Sequence, residues 1–309
     1  MRRLFRRILV LTVTAAVLGG CGGGGDHPVG GRRTPSAQIS HSGKAAAQGG
    51  RRTAAPRGTR RAAAPDRPWN AHPATVVALG DSITRGFDAC HPLSDCPQVS
   101  WATGSRTSVD SVSARLGVSG RWNLARSGAH VADLRAQVRA ATAHHPAMVT
   151  VLIGANDACA ADVGAMTPVA DFRASFAGAL SSLHRALPAT QVLVASIPDL
   201  ERLWSVGRSN VIGREVWKLG LCPVMLDDPT SDSAAARARR DAVRDRVIAY
   251  NSVLGQVCSQ YARCRYDGGA VFRYPFTTGD LSAWDWFHPN ERGQGRLARL
   301  LGAIALSPA

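Results

Sequence analysis

Two runs constrain this chain more than any other feature: Met148 to Ile153 (MVTVLI) and Gln191 to Ile197 (QVLVASI). Each is a continuous apolar, β-branched stretch bounded by glycine or proline, the pattern of a strand buried on both faces. Such a strand needs a layer above it and a layer below. Val76-Val77-Ala78-Leu79, broken at Gly80, repeats the pattern, and Trp122 to Ala125 and Cys264 to Tyr266 read as weaker strands. Between them, Val131, Leu134, Val138 and Ala141 recur at helical spacing, as do Phe172, Phe176, Leu180 and Leu183. Residues 234–260 read as a long Arg- and Ala-rich helix with Val243, Val247, Tyr250 and Leu254 on one face, and Asn290 to Leu301 as a closing helix. This alternation predicts an α/β fold: a three-layer α/β/α sandwich around a mostly parallel five-stranded sheet, joined by right-handed crossovers. Open sheets of this type place their sites at the carboxyl ends of the strands. No internal repeat is visible.

The 309 residues are 45% hydrophobic, enough for a sizeable core, and contain no apolar run long enough to span a bilayer. A net charge of +15 suggests a nucleic-acid binder, but its distribution argues against one. Residues 1–70 hold 13 of the 37 Lys/Arg and 2 of the 22 Asp/Glu, so the remainder, with 24 against 20, carries only +4. The excess belongs to a leader and a tail, and no nucleic-acid partner is expected.

Met1 to Arg7 form a basic n-region and Ile8 to Leu18 a short apolar h-region, as in an export signal over residues 1–20. It closes on Leu18-Gly19-Gly20-Cys21, which resembles a bacterial lipobox; that resemblance implies lipidation of Cys21 and a membrane anchor. An ordinary secretory signal is the plainer alternative. Residues 21–72 are rich in Gly, Ala, Pro and Arg and poor in large apolar side chains, which predicts a flexible tether ahead of a folded domain over 73–309. Six further cysteines in an exported chain read as disulfides. Cys90/Cys96 and Cys258/Cys264 share a short spacing that suits local loops, which leaves Cys159 with Cys222, though six cysteines admit many pairings. No paired C-x₂-C knuckles are present, so a metal site is not expected.

Three motifs fall where a parallel sheet would place chemistry. Gly80-Asp81-Ser82-Ile83 follows the first strand, where a strand-to-helix turn exposes Ser82 and turns free backbone N–H groups toward an anion. Gly154-Ala155-Asn156-Asp157 follows a later strand, where an asparagine amide can face a developing oxyanion. Asp285-Trp286-Phe287-His288 precedes the last helix; an acid three residues before a histidine can hold Nδ1 while Nε2 faces outward as a base. Taken singly, each has a bland reading: a helix N-cap, an Asx turn, a surface histidine.

In this order and at these positions the three resemble the SGNH, or GDSL, hydrolase family, a match covering nearly all of residues 74–305. The resemblance implies Ser82 as nucleophile, His288 as base with Asp285 behind it, and an oxyanion hole from the Ser82 N–H, the Gly128 N–H of the block Asn123 to Ala129, and the Asn156 amide. Some relatives orient the histidine with a backbone carbonyl instead of an acid. Asp81 and Asp157 are read as turn braces. The nucleophile elbow G-x-S-x-G is absent, which argues against an α/β-hydrolase. The three-disulfide pattern is similar to extracellular esterases and lipases of actinobacteria within the family.

The expected activity is therefore that of a serine esterase without cofactor or metal, acting as a monomer on acyl-lipid or small esters. A carbohydrate O-deacetylase of the same family and a non-catalytic wall- or carbohydrate-binding lipoprotein are the alternatives. The long connection from Ile197-Pro198 to about Ser233 reads as a loop without regular structure, carrying Leu203, Trp204, Val206, Val211, Ile212, Trp217 and Leu219. One reading makes it a lid whose Trp204 and Trp217 wall an acyl group; the other makes it a satellite core tied down by Cys222.

Overall fold

The computed structural model describes residues 69–308. The expected leader, Cys21 and most of the tether lie outside these residues. Five strands, β1 (Thr75–Gly80), β2 (Gly120–Asn123), β3 (Met148–Leu152), β4 (Gln191–Val194) and β5 (Cys264–Tyr266), form one sheet in the order β2-β1-β3-β4-β5. Every neighbouring pair is parallel, so the sheet is wholly rather than mostly parallel.

Among the described residues ten α-helices connect and follow the strands: α1 (Ser82–Arg85), α2 (Val112–Arg115), α3 (Leu134–Thr142), α4 (Ala155–Ala158), α5 (Val169–Ala186), α6 (Leu200–Gly207), α7 (Val211–Trp217), α8 (Pro223–Leu226), α9 (Ala234–Cys258) and α10 (Glu291–Leu306). The strand order reverses once, after β2, so right-handed crossovers put the β1–β2 connection on one face and the later ones on the other. The packing agrees: α3, α5 and α9 lie side by side, while α10 packs on α2.

β1 and β3 are buried almost end to end because layers cover both faces of the sheet. The helical stripes read from the sequence also face the core: Val243, Val247, Tyr250 and Leu254 of α9 are wholly buried, as are Phe172 and Phe176 of α5. Disulfides join Cys90 to Cys96, Cys159 to Cys222 and Cys258 to Cys264.

Two expectations need correction. The connection after β4 is not an irregular loop: it folds into α6, α7 and α8, with Asp199 and Asn210 accepting from backbone N–H groups as N-caps. Caps and short amphipathic stretches outweighed the length of the gap. The expected boundary at residue 72 is also too late, since Trp69 docks against the domain. Trp69 Nε1 donates to the Ala305 carbonyl at 2.8 Å, and the Arg265 guanidinium stacks 4.2 Å over its ring. A tryptophan offers enough apolar area to dock.

Candidate active site

The site lies at the carboxyl ends of β1 and β3, the switch point on either side of which the chain winds in opposite directions. β1 ends at Gly80 with φ of 143°, and a Cβ there would sit 2.2 Å from the Leu152 carbonyl oxygen of β3. Only glycine permits both the turn and that approach. Gln137 of α3 clamps the same peptide, accepting from the Gly80 N–H at 2.8 Å and donating to its carbonyl at 2.9 Å. Asp81 then caps α1, its Oδ1 accepting from the Ile83 N–H at 3.0 Å. Ser82 opens the helix at the edge of a cavity.

Ser82 Oγ lies 2.9 Å from His288 Nε2, and His288 Nδ1 lies 2.5 Å from Asp285 Oδ2. The other oxygen, Asp285 Oδ1, accepts from the backbone N–H groups of Phe287 and His288, both at 2.9 Å. Ring edges of Phe87 and Phe287 flank the imidazole at centroid distances of 5.2 and 5.7 Å. The loop carrying the histidine is tied back by Ser282, whose N–H donates to the His288 carbonyl and whose Oγ donates to the Asp88 carbonyl at 2.7 Å.

Asn156 and Gly128 line the same cavity as Ser82 and His288. Gly154, with φ of 120°, lets α4 start directly behind β3, and a Cβ on it would press into the Ile197 and Phe172 side chains. Asn156 Nδ2 donates to the Ala129 carbonyl at 2.9 Å, which orients the amide and leaves its second N–H available. Asp157 braces the neighbouring turn: its carboxylate accepts from the Val131 N–H at 2.8 Å and from Thr167 Oγ1 at 2.9 Å.

The electrostatics follow from burial and charge. Burial alone would lower the His288 pKa, but Asp285 beside it, then Asp88 and Asp81, hold it above its ordinary value. Burial likewise works to raise Asp285, and the His288 charge with two backbone N–H groups brings it below the usual carboxylate range. Asp81 is pushed up to about 7, chiefly by burial against the partial relief of the Ile83 N–H. Asp88 is pushed up to about 6 by burial and by the Asp285 carboxyl beside it. A third carboxyl thus sits behind the histidine. It belongs to no sequence motif.

The cavity measures about 270 Å³ and opens beside Ser82. Its walls are mostly apolar: Ile83, Phe87, Leu200, Leu203, Leu221 and Phe287, with the Cys159–Cys222 disulfide. Trp204 and Trp217 do not line it. Both are buried behind the wall, where Trp204 Nε1 donates to the Pro229 carbonyl at 3.1 Å and Trp217 Nε1 to the Asp285 carbonyl at 2.7 Å. Each indole N–H turns to a backbone acceptor, buried for Trp217 and partly buried for Trp204, rather than to the cavity. Leucines of the same segment provide the wall instead. Among the described residues, no cluster of His, Cys, Asp or Glu is arranged to hold a metal ion.

A family model for GDSL-like lipases and acylhydrolases matches residues 76–301. The chain belongs to the GDSL-like lipase/acylhydrolase family. No curated protein sequence matches it. Among solved structures, this GDSL hydrolase is similar to LAE5, an α/β hydrolase from the metagenome of Lake Arreo, Spain, at 21% identity over 76% of this chain and 96% of that one, TM-score 0.48. It is similar to an extracellular lipase of Streptomyces rimosus at 19% identity, over 75% and 99% of the two chains, TM-score 0.42. A family 3 carbohydrate esterase of Clostridium thermocellum shares 13% identity over 75% and 95%, TM-score 0.46.

Proposed function

We propose that this hydrolase cleaves carboxylic esters by way of a Ser82 acyl-enzyme. The observation that carries the reading is the Ser82–His288–Asp285 chain of contacts, at 2.9 and 2.5 Å, opening into an apolar cavity. His288 Nε2 takes the Ser82 proton as Oγ attacks the ester carbonyl carbon. The negative charge on the carbonyl oxygen falls to the Ser82 and Gly128 N–H groups and the free Asn156 N–H. Collapse of the tetrahedral intermediate breaks the C–O bond to the alcohol, which leaves with the proton from His288. Water, deprotonated by the same imidazole, then releases the acid and restores Ser82. Asp285 holds the Nδ1–H tautomer throughout.

The cavity favours acyl esters of short to medium length. Its volume of about 270 Å³ is at the lower end of small-ligand pockets, and its walls offer few polar partners for a sugar ring. Export as a lipoprotein anchored at Cys21 accords with the three disulfides, which belong to oxidising compartments, and no helix among the described residues is long and apolar enough to cross a membrane. The direct test is a fluorophosphonate probe, with hydrolysis followed over a series of acyl esters and acetylated xylan. Labelling at Ser82, lost in Ser82→Ala, with rates that peak on acyl esters, is the expected result. Absence of labelling would overturn the esterase reading, and a preference for xylan acetate would overturn the substrate class.

A further inference from the structure

Between Asp285 and His288, Trp286 holds φ at 54°, a left-handed conformation that a bulky side chain rarely adopts. Such a conformation persists where the surroundings over-determine it. Here the surroundings are α6 and α7. Trp217 Nε1–H donates to the Asp285 carbonyl at 2.7 Å, a buried bond spanning 68 residues of sequence. A Cβ on Gly213 would sit 2.8 Å from Trp286 Cγ, and one on Gly207 would sit 2.6 Å from the Trp286 carbonyl oxygen. Both helices therefore meet the histidine loop at backbone distance, and their contacts fall on the two residues that follow one another at its most strained point.

We propose that Trp217 is a positioning residue for the acid of the triad: its indole N–H locks the Asp285–Trp286 peptide so that the Asp285 carboxylate stays aimed at His288 Nδ1. The inference rests on the esterase reading above. Returning Trp286 to a negative φ requires that peptide to rotate, which swings the Asp285 carbonyl and drags the Asp285 side chain with it. The Trp217 bond opposes the rotation, since breaking it strands a buried carbonyl. The groups facing His288 are the Ser82 hydroxyl, the carboxyls of Asp285, Asp88 and Asp81, and the rings of Phe87 and Phe287. Of these, Asp285 alone contacts Nδ1, so its misalignment withdraws the main support for the imidazolium.

The test compares Trp217→Phe with Trp204→Phe in the full chain. The second variant removes an indole N–H from the same helical segment but not from the histidine loop. Steady-state kinetics on a short acyl ester and an NMR titration of the His288 ring are the readouts. For Trp217→Phe, kcat should fall about 10²-fold with KM within about twofold, as expected for misplaced catalytic groups. The His288 midpoint should move down toward the ordinary histidine value, while Trp204→Phe keeps both at wild type. Wild-type kcat and titration in Trp217→Phe, or equal losses in both variants that follow the fall in Tm, would overturn the proposal. If Trp217→Phe does not fold, 3-benzothienylalanine at position 217 keeps the volume of the ring and removes only its N–H. It should give the same kinetic and titration signature, and wild-type behaviour there would overturn the proposal. The titration needs no substrate, so a failure of the esterase reading would show separately, as a wild-type enzyme that turns over no ester.

Discussion

The His288 imidazole meets the Asp285 carboxylate directly at Nδ1, with the carboxyls of Asp88 and Asp81 nearby. Its pKa is raised by Asp285, Asp88 and Asp81 against the opposing pull of burial. A base must be neutral to accept the Ser82 proton, so kcat/KM should rise with pH on a limb above the ordinary histidine value of about 6.5. Asp285→Asn keeps an oxygen for the Phe287 and His288 N–H groups but turns an amide toward Nδ1. It should favour the wrong tautomer and lower kcat by ~10³–10⁴. A wild-type pH–rate profile in that variant would remove Asp285 from the mechanism. Asn156→Ala should cost ~10²–10³ in kcat with KM little changed, the usual loss for one oxyanion donor; an effect confined to KM would make Asn156 a substrate-binding residue. Ser82, Asn156, Asp285 and His288 were all legible in the sequence, because each stands in a short motif next to a strand end or a helix start. Asp88 and Gln137 were not. Their partners, Ser282 and Gly80, lie 194 and 57 residues away, and no local pattern encodes such a contact.

At the scale of elements, the strands of the sheet were easiest to read, because burial on both faces leaves an uninterrupted apolar run. β2 was misplaced by two residues, as Gly120–Asn123 is an edge strand with only partly buried side chains and no such run. The segment from Asp199 to Asp227 was the hardest. Its tryptophans suggested a ligand wall, yet large aromatic side chains serve a core as well as a pocket, and periodicity cannot separate the two. The structure gives the wall to Leu200, Leu203 and Leu221, fastened by the bond from Cys222 to Cys159. Leu203→Ala should therefore flatten the dependence of kcat/KM on acyl length, with each methylene no longer desolvated forfeiting about 0.8 kcal/mol, close to fourfold in rate. Acetate esters should be least affected. Equal losses on every ester would mean that Leu203 only supports the fold.

For the whole molecule, the three disulfides point to life outside the cytoplasm. Full-length protein made in a bacterial host should partition with membranes, and Cys21→Ser should be released or held as precursor; equal partitioning of both would exclude a lipid anchor there. Thiol titration of the oxidised domain should find no reactive thiol among its six cysteines, and six would contradict the disulfides. The proposed nucleophile and base, Ser82 and His288, lie 206 residues apart, one following the first strand and the other just before the last helix. A chain emerging from its amino end thus presents Ser82 long before anything can deprotonate it. On the proposed mechanism the site is incomplete until α10 has arrived and closed the long-range contacts, including Gln294, which binds both the Ile83 carbonyl and the Trp101 N–H. Contacts of such high sequence separation form late and slowly. Esterolysis by this protein would then serve as a clock for its own maturation, with the first turnover marking completion of the fold in the compartment where it is to work.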